Sequence, residues 1–361
     1  MSDFHSQLIK KINELSAQPL VNACTNQFRP FVSSRIKLIN FFQVLTQRLT
    51  RIFCYLTGSY ITQYKPIVTI IDRGNYFVSN LDAFCDAYDY LNDSYSKERY
   101  INYIAFNYIK SYSNRLPFDY DFFNKCNEKA VQLSSESIPN FIQDTIKGRK
   151  VYIPSDPLGY TINFQMEQYA YRDWLRVEDG DIVLDCGAAN GDTAIYFTAF
   201  GAKKVYSFEF LQSNINKFED VLSHNGSFRN NISIVKKALW DRSGIELCFE
   251  DNGNASTVSE NSSAQENNIL TISIDDFLNE EGSAVNFIKM DIEGAELKAL
   301  EGARESIIKY KPKLAICVYH KDVDLVEIPN FILSLGCGYT FNFDYYTDTG
   351  AEAVLYAKAV N

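Results

Sequence analysis

The second half of this sequence predicts an α/β fold: a doubly wound, mostly parallel sheet with an antiparallel last strand. From residue 182 onward, short apolar runs alternate with helix-like segments, which is typical of parallel sheets. A turn rich in glycine and alanine follows the first run, where open α/β sheets bind ligands. The preceding residues instead place apolar side chains at helical spacing. We therefore expect a mainly helical domain at residues 1–150 and an α/β domain at residues 151–361.

The N-terminal domain is predicted from two segments with helical periodicity, 36–56 and 83–110, which a strand-like run at 67–71 interrupts. Residues 1–65 carry eight Lys and Arg against two acids, and several of these cations flank the apolar face of the 36–56 segment. A basic amphipathic helix can lie on an anionic membrane, so peripheral membrane contact is one interpretation. Packing of this helix on the catalytic domain is the alternative.

The second domain is predicted element by element. Residues 151–180 indicate a linker and an entry helix, because Pro154, Pro157 and Gly159 signal a loop. Parallel strands are expected at 182–186, 204–208, 232–236, 286–290 and 313–319. Helices are expected near 193–200, 213–224, 295–309 and 325–335. Two later runs joined by a short turn, 339–345 and 352–358, predict an antiparallel pair at the sheet edge. The stretch 251–268, rich in Asn and Ser, predicts a long loop of the kind that often forms a lid.

Charge and cysteine content limit the classes of partner and the cellular compartment that the sequence allows. The net charge is −10, divided as +5 in residues 1–150 and −15 in residues 151–361. An acidic catalytic half argues against a nucleic-acid partner, whose affinity for proteins comes largely from phosphate neutralisation. The eight cysteines are scattered without a CxxC pair, which favours a reducing compartment. Neither a signal peptide nor an apolar run of about 20 residues is present, so we expect a cytoplasmic protein.

The turn after the first strand reads Asp185-Cys186-Gly187-Ala188-Ala189-Asn190-Gly191-Asp192-Thr193. Small residues let the backbone approach a ligand closely. The spacing is not GxGxxG, and Asp185 would repel a phosphate but suits a ligand with an amino group and a sulfonium. We therefore expect S-adenosyl-L-methionine here, in contact with Asp185, Gly187, Ala188 and Asn190.

Two further strand ends extend this predicted cofactor site. Glu209 ends the second strand, 24 residues after Asp185, and an acid at about 20 residues accepts hydrogen bonds from ribose hydroxyls. A surface or helix-capping glutamate is the alternative. Phe210 follows it directly. Ala238 and Leu239 come at the end of the third strand, where adenine is expected, although an ordinary strand end explains them nearly as well.

The reaction edge is predicted at the ends of the fourth and fifth strands. Asp291 follows the fourth strand, with Glu293 and Glu296 close behind. Three acids could bind a divalent metal, but acids in a first helical turn also favour the helix dipole, and we predict no metal.

His320, one of three histidines, follows the fifth strand. It could accept a hydroxyl proton as a general base while Asp291 orients the hydroxyl or polarises the imidazole. A histidine bonded to the backbone at a strand end is the alternative.

Together these stretches resemble the FkbM-type methyltransferases, a branch of the class I S-adenosylmethionine-dependent fold. The matching strings are DCGAANGDT, SFEF, LTISIDDFL and FIKMDIEGAELKALEGA, over about residues 180–320 and more loosely to 358. The resemblance implies methyl transfer to an oxygen, often a sugar hydroxyl. It also implies that Asp185, Gly187 and Glu209 hold the cofactor and that Asp291 faces the reaction centre.

Two other parts of the chain bear on this resemblance. Residues 91–97, LNDSYSK, look like a short segment that precedes the domain in longer family members. Members of this form tend to end in an Arg-His-Tyr-like strand, whereas residues 342–346 here read NFDYY. The substrate pocket therefore departs from the family pattern.

The expected function is O-methylation of a sugar, glycan or glycolipid-type acceptor, with contact at the inner membrane surface as a further expectation. A non-catalytic binding or scaffold protein in glycan biosynthesis is the main rival. An NAD-dependent enzyme is a weaker one, because it would need GxGxxG.

Overall fold

The computed structural model describes residues 3–16, 20–21, 28–29, 76–77, 79–109, 115–249, 258–259 and 268–360. The helix expected at 36–56, the run at 67–71 and most of the loop at 251–268 lie outside these residues. Contacts divide the chain into two compact units, one of residues 1–85 and 101–117, the other of residues 86–100 and 118–361. The domain boundary expected at residue 150 stays a prediction, because contacts do not test which segments fold independently.

The described part of the first unit is mainly helical. Helix α1, Asp3–Ser16, buries Phe4, Leu8 and Leu15 on one face, as an amphipathic helix does. Strands β1, Leu20–Val21, and β2, Phe28–Arg29, form a short antiparallel pair. Helices α2, Leu81–Asp89, and α3, Ser94–Ile109, overlap the segment expected to be helical at 83–110, and each extends across a boundary between the two units.

A helix and a hairpin precede the main sheet. Helix α4, Tyr120–Glu136, begins where the Asp119 carboxylate accepts a hydrogen bond from the Phe122 amide at 2.9 Å. Strands β3, Phe141–Ile146, and β4, Arg149–Pro154, pair through a two-residue turn with positive φ at both positions. This hairpin was not expected, since the sequence indicated helix before residue 150 and a linker after it. The entry helix is short: α5, Pro157–Tyr160, continues as one π-helical turn at Thr161–Gln165.

The main sheet has seven strands, whose residue ranges are given in the next sentence and which lie in the order β14–β15–β13–β12–β5–β6–β7 across the sheet. Its strands are β5 Ile182–Cys186, β6 Lys204–Phe208, β7 Ile232–Val235, β12 Phe287–Met290, β13 Lys313–Cys317, β14 Tyr339–Tyr345 and β15 Ala353–Ala359. All pairings are parallel except those of β15, which runs antiparallel between β13 and β14. The doubly wound sheet and its antiparallel edge pair are therefore confirmed.

The connecting helices also follow the prediction closely. They are α6 Asp192–Phe200, α7 Gln212–His224, α9 Glu296–Glu301, α10 Arg304–Tyr310 and α11 Asp324–Ser334. The single helix expected at 295–309 is divided at Gly302, which packs against the backbone of Trp240 and Asp241. A Cβ atom at Gly302 would lie 2.2 Å from the Trp240 carbonyl oxygen, so only glycine fits this contact.

A smaller sheet and a helix lie between β7 and β12. Strands β8 Ala238–Leu239, β9 Glu246–Phe249, β10 Val258–Ser259 and β11 Asn268–Ile272 pair in the order β10–β9–β11–β8. Helix α8, Ile274–Glu281, begins with Ser273 accepting a hydrogen bond from the Asp276 amide at 3.1 Å and ends at the left-handed Gly282. The sequence analysis did not predict these elements; β8, β9 and β10 are only two to four residues long, and the first residue of β11 falls in the stretch interpreted as a loop.

Residues 91–99 follow the outer edge of the main sheet at β14. The Asn92 amide donates to the Phe341 carbonyl at 2.8 Å, and the Ser96 hydroxyl accepts from the Phe343 amide at 2.7 Å. Arg99 forms an ion pair with Asp344. The segment that resembles a family element upstream of the domain thus occupies the sheet edge.

Candidate active site

The turn after β5 is fixed by backbone contacts with the two neighbouring strands. The Gly187 and Ala188 amides donate to the Phe208 carbonyl at the end of β6, at 3.1 and 3.0 Å. Gly187 has φ of +81°, and a Cβ atom there would lie 1.9 Å from the Asp291 carbonyl oxygen. Both the conformation and the contact therefore require glycine.

A buried ion pair lies behind this turn. Lys289 Nζ is 3.2 Å from Asp185 Oδ1, and the side chains are 2% and 0% exposed. Lys289 also donates to the Gly187 carbonyl at 2.6 Å, while Asp185 accepts from Thr193 at 2.9 Å and from Ser207 at 3.3 Å. Burial opposes the charge on Lys289, but Asp185 and then Asp291 raise its pKa above the ordinary value.

Asp185 therefore holds the turn from inside instead of facing a ligand. Asp185 was predicted to contact the cofactor directly. In the structure its carboxylate oxygens instead face Lys289, Thr193 and Ser207, so they are not available to a ligand. The reason is burial: an acid with no exposed surface in a parallel sheet needs internal partners.

An open cleft of about 610 Å³ lies beyond the carboxyl ends of β5, β6 and β12. The predicted cofactor residues that line it are Gly187, Glu209, Phe210, Ala238, Leu239 and Asp291. Ala188 and Asn190 do not line it. Ala188 is 1% exposed, and the Asn190 side chain accepts a hydrogen bond from the Asp192 amide at 3.2 Å, which starts helix α6.

Glu209 is held in place by hydrogen bonds at the wall of the cleft. One carboxylate oxygen accepts from the Leu211 amide at 2.7 Å and the other from Asn214 Nδ2 at 3.2 Å. The backbone amides of Phe210 and Ala189 also stabilise its charged form, and the carboxylate lines the cleft. Burial raises the pKa of Glu209, and these hydrogen bonds oppose the shift. Such a group suits a vicinal diol, such as that of a ribose.

Asp291 forms the acidic end of the cleft. Its two oxygens accept hydrogen bonds from Tyr319 at 3.1 Å and Tyr169 at 3.2 Å. Burial, followed by the charge of Asp291, raises the pKa of both phenols well above the ordinary value, so both stay protonated donors. The carboxylate is therefore oriented from two sides and remains 20% exposed.

His320 contacts Asp291 and is surrounded by carboxylates, but it does not itself line the cleft. Its Nε2 is 3.5 Å from Asp291 Oδ1 and 3.4 Å from Glu293 Oε2, and its Nδ1 is 2.9 Å from Glu296 Oε1. Burial alone would lower the pKa of His320, but Glu296, Asp291 and Glu293 together raise it to about 9. The two predicted catalytic residues are thus brought together, with the imidazole positively charged at neutral pH.

Three more acids near His320 bind protons more tightly than usual. Burial is the main cause in each case, and it raises the pKa of Glu293, Asp324 and Glu352 to about 7. Glu352 also accepts a hydrogen bond from Gln168 Nε2 at 2.6 Å. Each of these three carboxyl groups is therefore partly protonated at neutral pH.

Comparison with known proteins shows which protein family this domain is similar to. Residues 185–341 match the family model described as the methyltransferase FkbM domain. This part of the chain is an FkbM methyltransferase domain. The recognition made from the sequence is therefore confirmed.

Solved structures support the fold of the FkbM domain. A methyltransferase FkbM from Methylobacillus flagellatus KT shares 24% identity over 79% of this chain and 60% of that chain, with a TM-score of 0.54. This chain thus spans about three fifths of that protein, and the likeness shows the fold alone. Aeropyrum pernix fibrillarin, solved with natively bound S-adenosyl-L-methionine, gives 14% identity, coverages of 62% and 85%, and a TM-score of 0.40, too low for an argument. No curated protein matches the chain.

The residues of the FkbM domain fit its implied cofactor. Glu209 offers a carboxylate, Ala238 and Leu239 offer an apolar wall, and Asp291 and Glu293 place acidic groups at the other end of the cleft. Asp291, Glu296 and His320 each offer one atom within 4.8 Å of the others, a spacing compatible with one cation. That no metal is needed stays a prediction.

Sequence reasoning missed several residues at this site. Ala189 lines the cleft with φ of +44°, beside the predicted Gly187. Gln168 and Tyr169 come from the stretch that was interpreted as a linker, where no pattern marks them. Glu352 stands at the head of the strand predicted at 352–358, and a charge directly before an apolar strand was the available signal.

Proposed function

We propose that this chain is an S-adenosylmethionine-dependent O-methyltransferase acting on a hydroxyl of a sugar, glycan or glycolipid-type acceptor. The observation that carries the proposal is the placement of Glu209 and Asp291 on one cleft, with His320 in contact with Asp291. An acceptor for ribose hydroxyls and a group able to take a substrate proton thus meet at one sheet edge. The FkbM domain supports methyl transfer, and the acceptor class rests on the resemblance.

S-adenosyl-L-methionine, when bound, supplies an electrophilic methyl group on a sulfonium. In this proposal, Glu209 accepts hydrogen bonds from the ribose, and Phe210, Ala238 and Leu239 contact the adenine. Asp291 gives the cationic end a negative field. Most of the rate gain then comes from holding the acceptor hydroxyl in line, at roughly 3–3.5 Å from the methyl group.

The acceptor hydroxyl needs a group to take its proton. Asp291 is oriented by Tyr169 and Tyr319, so it is suited to fixing the direction of that hydroxyl. His320 would accept the proton at Nε2. Because the pKa of His320 is about 9, the base form increases with pH, and we expect the rate to rise toward pH 9.

The test combines labelled cofactor with a panel of glycans and lipid-linked saccharides. We expect formation of S-adenosylhomocysteine together with a labelled saccharide. His320→Ala should lower turnover by roughly 10²-fold or more, whereas His224→Ala, a substitution of a partly exposed histidine on α7, should leave it unchanged. Full turnover by His320→Ala would reject the base role.

A non-catalytic binding protein is the second candidate, and one observation favours it. The imidazole of His320 carries a proton at neutral pH, so it cannot act as a base there. Calorimetry with S-adenosyl-L-methionine separates the candidates. Binding without any product across the pH range and the acceptor panel would favour the scaffold, and absence of binding would reject the proposed cofactor.

The proposal extends to location. No helix among the residues that the structure describes is long and apolar enough to cross a membrane. We propose that the chain acts in the cytoplasm and that the basic 36–56 segment contacts the inner membrane surface. The test is flotation of the full chain with anionic vesicles, using Arg35→Glu and Arg48→Glu as the weakened variant. Equal recovery of both proteins in the bottom fraction would reject membrane contact.

A further inference from the structure

Glu352 is a partly buried acid to which the proposed mechanism gives no role. It lies directly before β15, and the first residue of that strand, Ala353, accepts a hydrogen bond from the Val318 amide after β13 at 2.9 Å. Because β15 runs antiparallel to β13, its start lies at the carboxyl edge of the parallel strands. Glu352 therefore stands at the same edge as Asp291, on the side of β13 that faces away from the cofactor cleft.

Two consecutive residues hold Glu352 and Asp291 at this edge. Gln168 Nε2 donates to Glu352 Oε2 at 2.6 Å, and the Tyr169 hydroxyl donates to Asp291 Oδ2 at 3.2 Å. The main chain is fixed in turn, because the Gln168 carbonyl accepts a hydrogen bond from the buried Tyr356 hydroxyl. Burial raises the pKa of Glu352, and the charge of Asp291 raises it further. The two carboxyl groups are therefore electrostatic neighbours in a fixed arrangement.

The polar atoms left open around Glu352 are acceptors. Glu352 Oε1 and Gln168 Oε1 accept no hydrogen bond from the described residues, although Gln168 is only 1% exposed. Neither oxygen is among the polar atoms that are sealed from solvent. Asp291, whose side chain is 20% exposed, adds a third acceptor group at the same edge. Acceptors in a largely buried place are costly without donors, so this arrangement suits a ligand that brings several hydroxyl groups.

We propose that Glu352 and Gln168 form the subsite for a second hydroxyl of the acceptor, while Asp291 fixes the hydroxyl that is methylated. The inference rests on the proposed function, which supplies the reacting hydroxyl. It narrows the acceptor to a sugar or another polyol with a free hydroxyl near the one that is methylated. A simple alcohol would leave the Glu352 carboxyl without a donor, and a site built to bond a hydroxyl discriminates against ligands that lack it.

A glycine substitution removes the Glu352 carboxyl while suiting the backbone. Glu352 has φ of +58°, a left-handed conformation that glycine adopts freely and other residues rarely adopt. Glu167→Gly is the matched control. Glu167 has φ of +52° and directly precedes Gln168, but its side chain pairs with Arg176 at 3.3 Å. Circular dichroism checks that both variants are folded.

The binding test is saturation-transfer NMR on the full chain, with 1,2- and 1,3-cyclohexanediol and cyclohexanol as probes. S-adenosylhomocysteine is added first to occupy Glu209, which also suits a diol, and EDTA removes stray metal ions. We expect the native chain to bind at least one diol and to bind cyclohexanol about tenfold more weakly. Glu352→Gly should lose this preference, and Glu167→Gly should keep it.

Several results would overturn the proposal. Absence of diol binding to the native chain, equal binding of cyclohexanol, or an unchanged preference in folded Glu352→Gly would each do so. Diol binding that disappears with EDTA would also do so, because a metal ion would then hold the hydroxyls. If Glu352→Gly does not fold, Glu352→Gln decides: it keeps the volume but loses the charge, so the preference should weaken, and an unchanged preference overturns the proposal.

Turnover is measured separately, with saccharides and their deoxy analogues that lack one hydroxyl. A diol preference that depends on Glu352 without any methyl transfer would leave the subsite standing and reject the proposed function. If the enzyme is active, Glu352→Gly should lower kcat/KM for the complete saccharide about tenfold, to the value for the deoxy analogue. Equal losses for both acceptors would indicate a purely structural role, which overturns the subsite and leaves the proposed function standing.

Discussion

Replacing Lys289 by Met tests whether the buried ion pair holds the turn. The substitution keeps the length and apolar volume of the side chain but leaves Asp185 charged and 0% exposed, with only two hydroxyl donors. Breaking one side of a buried pair destabilises a protein by about 3–5 kcal/mol. The Gly187 carbonyl also loses its donor, so we expect the free energy of unfolding to fall by about 4 kcal/mol.

The assay is urea unfolding followed by tryptophan fluorescence. Both tryptophans, Trp174 and Trp240, lie in the unit that contains the main sheet, so the signal reports that unit. Lys298→Met is the matched control, since its pair with Asp241 is 2.9 Å long but the lysine is 44% exposed. We expect that control to lose at most about 1 kcal/mol.

A double substitution separates charge from packing. Adding Asp185→Asn to Lys289→Met removes the stranded charge, so stability should recover by about 2 kcal/mol relative to Lys289→Met alone. A loss below about 1 kcal/mol in Lys289→Met would refute the reasoning. Strict additivity of the two substitutions would refute it equally, because it would mean that the two groups do not interact.

Three further predictions concern the cleft. Gly187→Ala should abolish cofactor binding in calorimetry, because its Cβ would lie 1.9 Å from the Asp291 carbonyl oxygen; Gly282→Ala, with φ of +60° but open space, isolates the smaller effect of conformation alone. The pKa of His320 rises from 6.5 to about 9 on folding, so the protonated ring stabilises the fold fully below pH 6.5, and this stabilisation is lost as the pH rises through 9. The melting temperature should therefore fall over this pH range, and His320→Gln should make the melting temperature less dependent on pH. S-adenosyl-L-methionine carries a positive sulfonium, so its affinity should increase as His320 loses its proton. The affinity of S-adenosylhomocysteine, whose sulfur is uncharged, should depend less on pH. Equal pH dependence of the two affinities would mean that the imidazolium and the sulfonium do not interact.

Some parts of the site were predictable because single residues carry the signal. Glu209 and Asp291 each follow an apolar strand, and parallel strands bring their carboxyl ends to one edge, so the order of motifs was enough to place both on the cleft. Gly187 was predictable because a turn that passes close to another backbone needs glycine. The seven strands of the main sheet were predictable from the same alternation of strands and helices, whereas their order in the sheet was not predicted.

Other parts depend on contacts between residues far apart in sequence. Tyr169 meets Asp291 across 122 residues, and Gln168 meets Glu352 across 184, from a stretch without periodicity. Asp185 was expected to contact the cofactor, whereas its carboxylate is buried against Lys289. The sequence of a single strand shows that an acid is present, but it does not show which neighbouring strand supplies the cation that pairs with it. The partner, Lys289, comes from β12 and reads as an ordinary strand residue.

The segment at residues 91–99 has a consequence for how the domain can be separated from the rest of the chain. Strand β14 is an outer strand, and such strands offer unpaired backbone groups on which other chains can assemble. Here Asn92 and Ser96 occupy two of those positions, at the Phe341 carbonyl and the Phe343 amide. A fragment that began after residue 150 would keep every strand of the main sheet but would lose residues 91–99, which cover the edge of β14. We therefore expect such a fragment to self-associate along β14, and a fragment that begins before residue 91 to stay monomeric.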